Sequence, residues 1–101
     1  MVTIGSRVGA ILKSDDKDVY FIGYGTYVGD ELPIGIGGFG DLLVSINRKN
    51  PKIVLDNGDF VFGCECWWAS EEEVKRRIKD MNIINVDIKK ERSDSKIELE
   101  E

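Results

Sequence analysis

A chain of 101 residues with 42% hydrophobic and 33% charged content reads as one globular domain with room for a modest core, and not as a disordered segment. Its net charge of −5 repels phosphate backbones, which argues against nucleic acid as a partner. The absence of histidine removes the commonest general base and metal ligand together.

Ser6 to Lys13 alternates loosely and predicts a first strand, followed by a polar turn over Ser14–Lys17. Asp18 to Asp30 predicts a long second strand, rich in aromatic and β-branched residues. Gly23 and Gly25 interrupt it, marking a bulge, a bend or the close approach of another backbone. Glu31 to Gly40 is a glycine-rich connection, and Asp41 to Asn47 a short helix with Asp41 as N-cap.

Asn57-Gly58 between two apolar runs predicts a β-hairpin with a type I′ turn. That turn pairs Leu55 with Phe60, Val54 with Val61 and Ile53 with Phe62. One face then carries Ile53, Leu55, Phe60, Phe62, Cys64, Cys66 and Trp68 as core. The half-polar face carries Val54, Asp56, Asp59, Val61, Glu65 and Trp67. Ser70 to Asp80 predicts a helix, since Ser70 and Glu73 have capping-box spacing and three glutamates occupy the first turn. Ile83 to Ile88 completes the strands.

These elements predict a single α+β domain over residues 1–88: a small curled antiparallel sheet of about five strands with one or two helices. An SH3-like barrel is its sharpest version. Residues 89–101 read as a polar, flexible C-terminal tail. No segment is apolar enough to span a membrane or reads as a signal, and the closely spaced cysteines suit a reducing compartment, so a cytoplasmic location and no membrane partner are expected.

Gly63-Cys64-Glu65-Cys66-Trp67-Trp68 gathers both tryptophans and both cysteines into five consecutive positions. Zinc needs about four ligands, and with no third cysteine and no histidine the two thiols read as small apolar fillers; no metal or cofactor is expected. Glu65 beside an aromatic wall reads as a structural ion pair, or as a hydrogen-bond acceptor or acid–base group in a site. Asp56 and Asp59 read as ordinary turn chemistry. Gly35 to Gly40 spells G-x-G-x-x-G but lacks the βαβ context of a dinucleotide site, and reads as an adaptable loop. Tyr20 and Tyr24 are expected on one face of the second strand and Tyr27 on the other, and together with the tryptophans they supply the aromatic groups of a binding surface.

The blocks Arg7–Leu12, Gly23–Asp30, and Asn50–Ile53 through Gly63–Trp68 resemble a group of uncharacterised small proteins of bacteria and their phages. The resemblance spans most of residues 6–80 and brings no activity, cofactor or catalytic residue. It implies an accessory protein.

The sequence therefore predicts a non-enzymatic binding domain with Tyr24, Tyr27, Glu65 and Trp67 as its working face and Gly37 and Gly38 in an adaptable rim. Its partner is a protein, such as a host protein to be inhibited, or a small signalling molecule to be sequestered; a homodimer through a strand edge is compatible with either. The alternatives are a small-molecule-processing enzyme using Glu65 as acid–base with a tyrosine partner, and a structural subunit of a homo-oligomer.

Overall fold

The computed structural model describes residues 2–93. In chain order the elements are β1 (Arg7–Ser14), β2 (Asp18–Glu31), α1 (Phe39–Ser45), β3 (Asn50–Leu55), β4 (Phe60–Phe62), a 3-10 turn (Gly63–Glu65), β5 (Trp67–Ser70), α2 (Glu71–Ile78) and β6 (Asn82–Asn85). A helical stretch over 88–93 closes the described chain. It begins at Ile88, the expected end of the last strand, and runs into the predicted tail; the tail from residue 94 lies outside the described residues.

The sheet runs β4-β3-β2-β1-β5, antiparallel throughout, and β6 adds to β2 in parallel. This is the predicted α+β domain with a small curled sheet, its main path a meander with a 3-10 turn before the last strand. Among the described residues no ladder joins β4 to β5, so the sheet stays open and the closed SH3-like barrel expected as its sharpest version is not formed. The fourteen residues of β2 organise it. β1 takes one edge, while β6 at Asp18–Phe21 and β3 at Gly25–Glu31 share the other end to end.

The two glycines of β2 do what a strand glycine signals. Gly23, at φ +150°, sits where the β1–β2 register slips. The slip brings Tyr24 onto the face of Val19 and Phe21, and so separates it from the simple alternation that paired it with Tyr20. Gly25 lies between β1 and β3, and a Cβ there would strike the Val54 carbonyl and come within 2.9 Å of Leu55 Cα.

Two apolar layers hold the sheet. Val8, Ala10, Ile22, Ile53, Leu55 and Val61 form the inner one and Ile88 packs into it. Ile11, Val19 and Phe21 form the other under Val74 and Ile78 of α2. Full burial of each such side chain contributes about 1.5–3 kcal/mol before chain entropy is counted. α2 begins as predicted, with the Glu73 N–H donating to Ser70 Oγ at 3.2 Å. α1 starts earlier than expected: Gly38 is its N-cap, no side chain caps it, and Asp41 lies in the first turn.

The hairpin differs from expectation by one residue. Val54 pairs with Phe60, Ile53 with Val61 and Lys52 with Phe62. Gly58 (φ +93°) has a left-handed backbone and Asn57 does not, so the connection is a three-residue loop with a glycine bulge in place of the type I′ turn. Hydrogen bonds explain the choice. The Gly58 N–H donates to Leu55 O at 2.9 Å, and the Leu55 N–H donates to Asp59 O at 2.8 Å. The Asp56 N–H is committed to Tyr24 O of β2, and its carboxylate to Arg7, which keeps Asp56 out of the β4 ladder. A one-residue slip reverses the faces of β4. Val61 is therefore core, and Phe60 is half-buried on the opposite side.

Candidate functional site

The six residues expected to form one face occupy three places. Tyr27 and Trp67 line one cleft; Glu65, Gly37 and Gly38 line another; Tyr24 lines neither.

Tyr24 is a packing residue. Its ring meets Phe21 edge-on at 4.8 Å, and Gly9 leaves room for it, since a Cβ there would lie 3.1 Å from Tyr24 Cδ1. Burial, followed by the nearby Glu71 carboxylate, raises the pKa of its phenol.

Glu65 is an anchor. The 3-10 turn brings its Oε1 to the Phe62 N–H at 3.0 Å, while Arg92 Nε donates to Oε2 and Nη2 to Oε1, each at 2.7 Å. Arg92 also donates to Phe60 O at 2.9 Å, and its guanidinium carbon sits 5.0 Å from the centre of the Phe60 ring. The ion-pair reading of Glu65 is the one the geometry matches. Its partner is neither Arg7 nor a cation of α2, but a residue from the stretch expected to be a flexible tail. Both carboxylate oxygens are engaged, so the group ties the 88–93 stretch to the 3-10 turn.

Beside this pair lies a cleft of about 600 Å³ between the Gly35–Gly38 loop with the start of α1 and the 88–93 stretch. Gly37 and Gly38 have positive φ and open space around their α-carbons. Cys64 lines this cleft, and burial raises its thiol pKa, with the Glu65 charge adding to the effect. Cys66 packs against the inner core, where burial pushes its thiol up to about 12, the Glu65 charge acting in the same direction. Both thiols are free. Among the described residues no cluster of three or more cysteines and carboxylates is placed to hold a metal, and no helix is long and apolar enough to cross a membrane.

The second cleft, of about 690 Å³, is aromatic. Trp68 stacks on Tyr27 with ring centres 5.3 Å apart and planes 27° from parallel. It reaches this position over Gly63, where a Cβ would lie 3.0 Å from Trp68 Nε1 and 3.2 Å from the Pro51 ring. The Tyr27 hydroxyl donates to Asp30 Oδ1 at 2.7 Å, a bond that raises its pKa and keeps it protonated. Trp67 points outward, 39% exposed, with the Arg77 guanidinium carbon 4.5 Å from its ring centre. Asp30 and Glu73 place carboxylates in the lining. The result is a set of flat apolar surfaces with carboxylates at the edge, of which Glu73 is paired with Arg76 at 2.8 Å and Asp30 accepts from Tyr27.

Sequence reasoning assigned Trp68 to the core, which is half of its role, and missed Pro51, Asp30, Glu73 and Arg92. The spacing of Tyr27 and Asp30, three apart at the end of a strand, was the one local signal available for Asp30. Compared with known protein families, with curated proteins and with solved structures, the chain matches none.

Proposed function

We propose that the chain is a small non-enzymatic binding domain whose working surface is the aromatic cleft of Tyr27, Trp67 and Trp68, with Asp30 and Glu73 at its edge. Its ligand is an extended, positively charged segment of a partner protein. Flat aromatic walls take up proline rings and guanidinium planes, and the carboxylates reward arginine or lysine. The observation that carries the reading is Arg77 lying over Trp67: this ring already holds a guanidinium of its own chain, so the site has the chemistry to hold another. The pairing of Glu65 with Arg92 favours this reading over one with Glu65 as acid–base.

The test is titration with a peptide of alternating arginine and proline, followed by tryptophan fluorescence. Saturable binding is expected, weakened at least tenfold in Trp67→Ala and in Asp30→Asn. Equal binding of a glutamate–proline peptide, or no effect of either substitution, would refute the reading.

A further inference from the structure

The aromatic cleft follows an unpaired strand edge. β5 ends the main path of the sheet and pairs with β1 alone, from Val8 against Ser70 to Ile11 against Trp67. Among the described residues no turn or loop hydrogen bond reaches the backbone of Trp67, Trp68 or Ala69. The side of β5 away from β1 therefore carries main-chain donors and acceptors without partners in the described chain.

The cleft runs along that side. All four residues of β5 line it, and no residue of β1 does. Side chains alternate between faces along a strand, so a cleft that touches four in a row follows the edge and not one face. Its far wall is Tyr27, Asp30 and Pro51, from the stretch where β2 pairs with β3.

We infer that the partner segment binds as an added β-strand, pairing its main chain with the free edge of β5. This rests on the proposed function and states how the extended segment of that reading is held. In a strand the N–H and C=O of every second residue point to the same neighbour. A segment with proline at alternate positions pairs through its other residues and turns the prolines, which lack an N–H, away from β5. Trp67 and Trp68 are consecutive, so they meet alternate side chains of the added strand on its two faces. On the Trp68 side stand Tyr27 and Asp30, whose Oδ1 accepts from the Tyr27 hydroxyl and whose Oδ2 accepts from no described residue. That oxygen is the acceptor for an arginine of the segment.

Two peptides test this: the alternating arginine–proline peptide, and the same peptide with a methyl group on each arginine backbone nitrogen. The methyl groups remove the main-chain donors and keep the side chains and their charge. Tryptophan fluorescence is expected to show at least tenfold weaker binding of the methylated peptide. Hydrogen exchange read by nuclear magnetic resonance is expected to slow at least tenfold, with the unmethylated peptide bound, at the β5 amides that face away from β1. Equal binding of the two peptides, with unchanged exchange in β5, would overturn the added strand and leave the aromatic reading standing. No saturable binding of either peptide would overturn both. Protection of the same amides in the free protein, rising with its concentration, would assign the edge to a second copy of the chain and overturn the inference.

Discussion

Removing Arg92 should cost far more than its place near the end of the chain suggests. Its side chain is 16% exposed and that of Glu65 12%, so the pair is mostly withdrawn from water. Arg92→Met forfeits three hydrogen bonds of 2.7–2.9 Å and leaves the Glu65 carboxylate with the Phe62 N–H alone. Breaking a fully buried pair costs about 3–5 kcal/mol; discounted for the exposure that remains, the expected loss is about 2–3 kcal/mol. In urea that is a midpoint lower by about 1–2 M for a domain of this size. The double variant Glu65→Gln with Arg92→Met should be less destabilised than the two single losses added together, since neither leaves the other's charge stranded. Arg7 and Asp56 supply a control, being a bidentate pair with the same 2.7 Å bonds but exposed; Asp56→Asn should shift the midpoint much less. A loss below about 0.5 kcal/mol for Arg92→Met would show that the pair is solvated and that the 88–93 stretch is held by other contacts.

Further outcomes test the fold around the site. Gly25→Ala should destabilise by about 2 kcal/mol or more in the same urea assay, because its Cβ meets β3 backbone rather than a side chain that can turn away. Ser70→Ala should cost about 1 kcal/mol through the lost cap on α2. In the folded protein at neutral pH, Cys66 should resist alkylation by iodoacetamide and Cys64 should react first, read by mass spectrometry of the digested protein. Because the folded Cys66 thiol stays protonated up to about 12 while the unfolded one ionises near 9, stability should be unaffected by this group below pH 9 and fall as pH rises from there towards 12. Cys66→Ala should remove that part of the alkaline loss in urea curves taken across the pH range.

Local signals with a backbone mechanism were the legible ones. The glycines of β2, the Ser70 cap and the polar turn after β1 each follow from what one residue type does to φ, ψ or an unpaired N–H, and each sits where the sequence placed it. The hairpin shows the limit of such reasoning. Asn-Gly is permissive for a type I′ turn, but the Asp56 contacts with β2 and Arg7 come from 32 and 49 residues away in sequence, and they decide the register. The site was half legible for the same reason. Aromatics are singled out by residue type alone, and Tyr27 and Trp67, picked on that ground, line the same cleft. Their gathering into one cleft depends on Gly63 letting Trp68 lie against Pro51, a tertiary contact with no period in the chain. Arg92 was invisible because an arginine in a charged stretch looks the same whether it is solvated or meets a half-buried carboxylate.

The most direct test of the proposed function is a titration of isotope-labelled protein with the arginine–proline peptide, following the indole N–H resonances of Trp67 and Trp68 beside the backbone amides of Gly37 and Gly38. The two indoles stand at the aromatic cleft and the two glycines at the cleft beside Glu65. Both indoles shifting along one saturation curve, with the glycine amides still, is the predicted result. Indoles that stay silent while Gly37 and Gly38 move, or a spectrum that does not change, would contradict it.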